Sequence, residues 1–176
     1  RDCRRISRRF LVCKKSKIMG RFKTISTIGI LTITSLILGT ILFSCSDGNQ
    51  EKENGIPALA QNFKKQLMDS DGIIISFAEH NGAYSAAFKN IFDWISRIEK
   101  DVWGNKPMLL MATSPGARGG MTVLDIALNK FKFMNTNTIA SFSLPGFHQN
   151  FSEEGIIEQE LKQAFEEQLG IFEGAI

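Results

Sequence analysis

Hydrophobic and polar positions recur in residues 55–176 with periods that predict helices and strands in strict succession. Continuous apolar, β-branched runs are typical of strands buried on both faces. Apolar residues three and four positions apart are typical of helices that cover a sheet. The predicted strands are IIISF at 73–77, MLLMAT at 108–113 and TIASFSL at 138–144, and the predicted helices lie near 56–68, 85–100, 121–133 and 155–169.

Each predicted helix has one apolar face that we expect to pack against the sheet. The order α-β-α-β-α-β-α indicates a parallel sheet with helices on both faces and right-handed crossovers. The sequence therefore predicts an α/β fold. The expected inward residues are Ile56, Leu59, Phe63 and Leu67; Phe88, Ile91, Phe92 and Ile95; Val123, Leu124, Ala127, Leu128 and Phe131; and Ile157, Leu161, Ala164 and Gln168.

Two polar loops, AEHNGAYS at 78–85 and SPGARGG at 114–120, follow the first two strands. Ligands of parallel sheets bind outside the carboxyl ends of the strands, where both loops are expected. The pair Asn81-Gly82 is also a common turn, and the glycines of the second loop also suit a tight strand-to-helix connection. Either loop alone favours the turn interpretation. Two such loops at one edge favour a binding site.

Length and cysteine content narrow the class of protein. A chain of 176 residues suits one domain with a sizeable core. The three cysteines all lie in the first 45 residues, and the chain has two histidines, so we predict neither a disulfide framework nor a metal site. The remainder of the chain has the composition of a reduced, intracellular domain.

Charge divides the chain into a basic start and an acidic body. Residues 1–23 contain ten Lys or Arg and one acid, a net charge of +9, and the other eleven bases and seventeen acids give residues 24–176 a net charge of −6. We expect residues 1–23 to form a disordered basic leader. An acidic body gives no reason to expect nucleic acid as a partner.

Residues 24–46 contain no charged side chain and are long enough to span a bilayer. Their end, LFSC, resembles a lipobox, so one interpretation is a membrane-anchored lipoprotein attached through Cys45. Their many β-branched residues also fit an altered first strand. Both interpretations stay open. The predicted domains are therefore the leader 1–23, the hydrophobic segment 24–46 and an α/β domain at 47–176.

The run IIISFAEHNGAYSAAFKNIFDW at 73–94 resembles the signature P-E-Y-N-x-x-x-P-x-x-L-K-N-x-x-D-W of NADPH-dependent FMN reductases. Residues 106–120 are similar to the next strand and S-P-G-x-x-G-G loop of that family, and residues 151–169 to its closing helix. Ala78 and Ser85 replace the two prolines of the signature, and His80 replaces its tyrosine. The matching residues are Glu79, Asn81, Lys89, Asn90, Asp93 and Trp94.

The resemblance implies a flavodoxin-like fold that binds FMN and uses NADPH to reduce a flavin or quinone acceptor. It also implies a homodimer and a cytoplasmic location. Hydride transfer to a flavin depends on stacking and exclusion of water more than on a protein acid or base, so no catalytic dyad is expected. The alternative function is a membrane-anchored, non-catalytic flavodoxin-like remnant or interaction module.

By position, the resemblance places the loop after 73–77 along the flavin ring and the loop after 108–113 at the polar edge of the flavin. His80 is equally compatible with a contact to the ring and with no role. For Arg118 a solvated side chain is favoured over a contact with the flavin or the NADPH phosphate. The implied cofactor-binding residues are Ala78, Glu79, His80, Asn81, Gly82, Tyr84, Ser114, Pro115, Gly116, Arg118 and Gly119.

The family's phosphate-binding loop, G-S-x-R-x-x-S-x-N, has no counterpart in this sequence. In the family this loop follows the first strand, so the N-terminal βαβ unit is predicted to be missing or altered. Loss of several charge-assisted hydrogen bonds to the phosphate is expected to weaken FMN binding by several kcal/mol.

Overall fold

A computed structural model describes residues 55–137 and 139–176 in full and the backbone of residues 3–7 and 10–13. The strands are β1 Cys3–Ser7, β2 Phe10–Cys13, β3 Gly72–Phe77, β4 Glu79–His80, β5 Ala83–Tyr84, β6 Met108–Thr113, β7 Ile139–Leu144, β8 Phe151–Ser152 and β9 Gly155–Ile156. The helices are α1 Ala58–Met68, α2 Ala86–Ile98, α3 Met121–Met134, α4 Phe147–Asn150 and α5 Gln159–Ala175.

The main sheet has the strand order β1-β2-β3-β6-β7. Strands β3, β6 and β7 run parallel, and Ile73, Met108 and Ile139 lie side by side across them. The predicted parallel sheet of three consecutive strands is therefore confirmed.

Helices cover both faces of this sheet, as predicted. Because successive side chains of a strand point to opposite faces, Ile73 and Ile75 lie on one face and Ile74 on the other. The first face packs in a single core against α1, α2 and α3, through residues that include Phe63, Phe92 and Phe131. The opposite face packs against Phe172 of α5 through Ile74, Leu109 and Ala140.

The structure differs from the expected disordered leader at residues 3–7 and 10–13, which form two strands of the sheet. Strand β2 runs antiparallel to β3, with Phe10 opposite Ile75 and Cys13 opposite Gly72. In a flavodoxin-like sheet the first strand lies beside the third, and β2 takes that place here. Its pairing supplies hydrogen-bond partners to an edge of β3 that would otherwise be unpaired.

Several predictions fall on residues outside the described part of the chain. They concern the hydrophobic segment 24–46, the lipid attachment at Cys45 and the alteration of the first βαβ unit. The domain boundaries likewise stay predictions. Among the described residues, no helix combines the length and apolar character that crossing a membrane requires.

Two predicted helix faces were partly wrong. Leu59 is 70% exposed, and Ala60, Phe63, Lys64 and Leu67 form the buried side of α1 instead. The last helix begins at Gln159, so Ile157 precedes it and is 59% exposed. Residues 155–156 pair with 151–152 in a hairpin, which delays the start of the helix.

Helix α5 also extends past the predicted end at residue 169. Its buried anchor is Phe172, whereas Ala164, an expected inward residue, is exposed. The predicted face followed the first part of the helix. The helix contacts the sheet through Phe165, Gln168 and Phe172.

Candidate functional site

The candidate site lies at the carboxyl edge of the sheet, where β3 and β6 end. The first predicted loop forms a small hairpin, in which Glu79 pairs with Tyr84 and His80 with Ala83. The φ angles of Asn81 and Gly82 are 50° and 74°. Two successive positive φ values suit a tight two-residue hairpin turn, for which Asn-Gly is a preferred pair. The turn interpretation of Asn81-Gly82 is therefore confirmed. We call residues 79–84 the edge hairpin.

The edge hairpin is fastened to helix α3 by the side chain of Glu79. The Val123 backbone N–H donates to Glu79 Oε2 at 3.0 Å. Val123 is the third residue of α3, where backbone N–H groups have no partner within the helix. A carboxylate at this end also interacts favourably with the helix dipole. Because α3 directly follows residues 114–120, this bond brings the two predicted loops together.

The tip of the hairpin also approaches the start of α3. A Cβ atom placed on Gly82 would lie 3.7 Å from Thr122 Cγ2, which is ordinary van der Waals contact. The hairpin tip therefore lies beside the first turn of α3, with space for little more than a methyl group between them.

Gly119 is explained by packing within the protein rather than by access to a ligand. It is buried, with φ of 58°, and a Cβ atom there would lie 2.4 Å from Ser143 Oγ and 2.8 Å from Pro145 N. The Ser143 hydroxyl donates to the Gly119 carbonyl at 3.0 Å. By contrast, Gly116 is exposed, and the nearest atom to its Cβ position, Ser114 Oγ, is 3.9 Å away. Of these two predicted glycines, Gly116 is the one that a ligand can approach.

A third segment, residues 145–147, belongs to the same edge and was missed by the sequence analysis. The Gly146 N–H donates to the Gly116 carbonyl at 3.1 Å, and the Phe147 N–H donates to the Ser114 carbonyl at 3.0 Å. The signal that could have revealed this segment is Pro145-Gly146, a turn pair directly after the third predicted strand.

The predicted site residues differ in how accessible they are. The exposed ones belong to the hairpin tip and the middle of the second loop, whereas Gly119 is buried. Exposed are His80, Asn81, Pro115, Gly116 and Arg118, and partly buried are Ala78, Glu79, Gly82, Tyr84 and Ser114.

The two loops at this edge carry one acid and one base. Glu79 is the single acid in residues 78–85 and 114–120, and its carboxylate accepts the hydrogen bond from α3. Arg118 is exposed in the second loop. An anionic ligand would therefore meet a guanidinium and backbone groups at this edge.

Tyr84 anchors the hairpin to the hydrophobic core. Its ring centroid lies 5.7 Å from that of Phe77 and 4.9 Å from that of Phe88. Its hydroxyl is shielded from solvent and has no hydrogen-bond partner among the described residues. Burial raises the pKa of Tyr84 to about 12, because the ionised phenolate loses solvation. The hydroxyl is therefore neutral at ordinary pH.

The remaining candidate residues are His148, Trp94 and Phe92. His148 is exposed on the short helix α4, where its ring meets Phe147 edge-on at 5.6 Å between centroids. Trp94 and Phe92 are buried, and Phe92 stacks on Trp103 at 5.5 Å. In the described part of the chain, no three His, Cys, Asp or Glu side chains are grouped so that they could hold a metal ion.

Residues 24–149 match the family described as NADPH-dependent FMN reductase. The match includes the whole hydrophobic segment 24–46 and the whole candidate edge up to residue 149. The choice between an export signal and an altered first strand for that segment stays a prediction.

Curated relatives match shorter parts of the chain. A 2-hydroxy-1,4-benzoquinone reductase from a Burkholderia species is 39% identical over 72 residues, 40% of this chain and 39% of the relative. A quinone reductase from Escherichia coli K12 is 32% identical over 74 residues, 42% of this chain and 39% of the relative. An Arabidopsis thaliana NADPH:quinone oxidoreductase is 29% identical over 108 residues, which are 60% of this chain and 55% of the relative. The chain thus spans about two fifths of the length of the first two relatives.

Two solved structures share the fold. The flavoenzyme NAD(P)H:(acceptor) oxidoreductase FerB from Paracoccus denitrificans superposes with a TM-score of 0.59 at 18% identity, covering 76% of this chain and 74% of its own. An oxidoreductase from Corynebacterium diphtheriae superposes with a TM-score of 0.54 at 21% identity. The match covers 68% of this chain and 63% of the Corynebacterium protein. The predicted flavodoxin-like α/β fold is confirmed by these neighbours.

Proposed function

Because the chain belongs to the NADPH-dependent FMN reductase family, we propose that it is an FMN-dependent NAD(P)H oxidoreductase that reduces a flavin or a quinone. The observation that supports this most directly is the carboxyl edge of the sheet. There the edge hairpin and residues 114–120 follow adjacent parallel strands and are joined by the Glu79–Val123 bond. Ligands of flavodoxin-like sheets bind at this edge.

The described residues fit the flavin end of FMN. His80, Asn81, Pro115 and Gly116 are exposed on the two loops, and no unpaired carboxylate of these loops opposes an anionic group. Asn81 is exposed at the left-handed turn of the hairpin, and the backbone N–H and C=O groups of this turn are the proposed partners of the polar rim of a flat ring. In the proposed site, these residues hold the ring and orient it.

Bound FMN supplies the chemistry, since the flavin accepts a hydride from the nicotinamide and passes electrons to the acceptor. The residues of this chain position the ring and exclude water from one side of it. Arg118, the exposed cation at this edge, is the proposed contact for a phosphate of NADPH. The quinone reductases among the relatives support a quinone as the acceptor. We further propose that the protein is a cytoplasmic homodimer, as is expected of the family.

Flavin binding and turnover test the proposal together. The purified chain is titrated with FMN, with flavin fluorescence as the readout, and is then assayed for NADPH oxidation with benzoquinone as acceptor. We expect saturable binding, and NADPH oxidation that requires both FMN and quinone. A chain that neither binds FMN nor accelerates NADPH oxidation in its presence would overturn the proposed function.

A parallel titration with riboflavin tests the predicted absence of the phosphate-binding loop. Riboflavin has the same ring as FMN but no phosphate. If the phosphate has no dedicated anchor, FMN and riboflavin should bind with dissociation constants within about threefold of each other, a difference of less than about 0.7 kcal/mol. A preference for FMN of 100-fold or more would show that the chain has a phosphate site.

A further inference from the structure

Glu79 differs from the other predicted site residues because its side-chain bond points back into the protein. Its Oε2 accepts from the backbone N–H of Val123 at 3.0 Å, across 44 residues of sequence. The residue is partly buried and lies in β4, directly beyond the end of β3. The bond therefore links the first residue of the edge hairpin to the first turn of α3.

This bond also changes what the start of α3 can offer a ligand. Free N–H groups at a helix start attract anions, and residues 114–120 lead directly into such a start. Here a carboxylate of the protein itself already takes the N–H of Val123, and Met121 N–H donates to the Arg118 carbonyl at 2.9 Å. The start of α3 thus serves to hold the hairpin.

We propose that Glu79 is a positioning residue, whose carboxylate fastens the edge hairpin to α3 so that both loops form one rigid binding edge. The inference rests on the proposed flavin site and adds a role for a side chain within it. Gly82 lies near Thr122 but has no side chain that could replace the bond. Without the carboxylate, the hairpin keeps its two cross-strand pairs and the Tyr84 ring contacts but loses its side-chain hydrogen bond to α3.

The chemistry of the bond selects the test variants. Glu79→Gln keeps an oxygen that can accept from Val123 but removes the negative charge at the helix start. Glu79→Ala removes the acceptor altogether. Asp125→Ala is the matched control, since it removes an exposed carboxylate from the same helix two residues beyond Val123.

The first measurement is amide hydrogen exchange of Val123 in the ligand-free protein, which reports the bond whether or not FMN binds. We expect exchange at Val123 to be at least tenfold faster in Glu79→Ala and intermediate in Glu79→Gln, with no change in Asp125→Ala. Unchanged exchange in Glu79→Ala would overturn the inference that this carboxylate fastens the hairpin.

The second measurement is FMN affinity of the same proteins. Glu79→Ala should weaken binding about tenfold, which corresponds to about 1.4 kcal/mol, and Glu79→Gln should recover part of the loss. Faster exchange at Val123 with unaltered FMN affinity would overturn the positioning role. If the unmodified protein fails to bind FMN, the proposed function fails, and the exchange result still shows whether the bond exists.

Discussion

The change Gly119→Ala should strongly destabilise the protein while adding one methyl group at the candidate edge. Gly119 has a left-handed backbone, with φ of 58°, and its α-carbon faces the end of β7. The new Cβ would lie 2.4 Å from Ser143 Oγ, 2.8 Å from Pro145 N and 2.9 Å from Leu144 C. Two of these three atoms belong to the backbone, so they cannot move aside by rotating a side chain.

The expected destabilisation by Gly119→Ala is the sum of two energetic costs. A residue with a Cβ in the left-handed region costs about 1–2 kcal/mol relative to glycine. Inserting a methyl group into a close-packed site costs typically about 1–3 kcal/mol more. The expected loss in the free energy of unfolding is therefore about 2–5 kcal/mol. An ordinary domain is stabilised by about 5–15 kcal/mol in total, so this loss is a large part of it.

Urea unfolding measures this loss, with the fluorescence of the two buried tryptophans, Trp94 and Trp103, as the probe. Gly116→Ala is the matched control, because its Cβ would meet no atom closer than 3.9 Å, and it should change stability by less than about 0.5 kcal/mol. The double variant Gly119→Ala/Ser143→Ala removes the hydroxyl but leaves both backbone contacts, so it should recover little stability. A Gly119→Ala variant as stable as the Gly116→Ala control would refute the packing explanation of Gly119.

Two further predictions concern Tyr84 and Lys64. Since the chain has one tyrosine, absorbance near 295 nm follows Tyr84 alone, and its titration midpoint should lie near 12 rather than 10. Below pH 10 the Tyr84 hydroxyl is protonated in both the folded and the unfolded chain. Between pH 10 and 12 the unfolded chain loses this proton first, so the free energy of unfolding should fall as pH rises. Lys64, whose side chain is 5% exposed, donates to the carbonyls of Asp101 and Val102, so Lys64→Met should cost about 1–3 kcal/mol in urea unfolding.

Each of these predictions has a matched control. Tyr84→Phe should remove the decline in stability between pH 10 and 12, and a midpoint near 10 in the unmodified protein would contradict the burial of the hydroxyl. Lys65→Met alters the neighbouring lysine, whose side chain is 74% exposed and pairs with Asp69, and should change stability by less than about 1 kcal/mol. Equal effects of the two lysine changes would contradict a structural role for Lys64.

Hydrophobic periodicity was sufficient to predict the order of the elements and three parallel strands. It worked best where burial is complete, as in β3 and β6, because a strand covered on both faces needs an uninterrupted apolar run. It failed at Leu59 and Ile157, which are apolar but exposed. An apolar residue gains from burial but does not by itself determine which side of a helix meets the sheet, or where the helix begins.

The position of two polar loops after neighbouring parallel strands located the candidate edge but not the role of each residue in it. Asn81-Gly82 predicted a turn correctly from local chemistry, because positive φ angles favour these residues. Residues 145–147 were missed, since their hydrogen bonds to Ser114 and Gly116 join segments about 30 residues apart.

The sequence by itself determined the α/β class, the strand order along the chain and the two polar loops, because these follow from periodicity and local backbone preference. Only the tertiary structure decided that Gly119 packs against β7, that Glu79 binds the start of α3 and that Phe10–Cys13 pairs with β3. Each of these is a contact between residues at least 24 positions apart. Such contacts depend on how the elements pack in three dimensions, which periodicity along one segment does not encode.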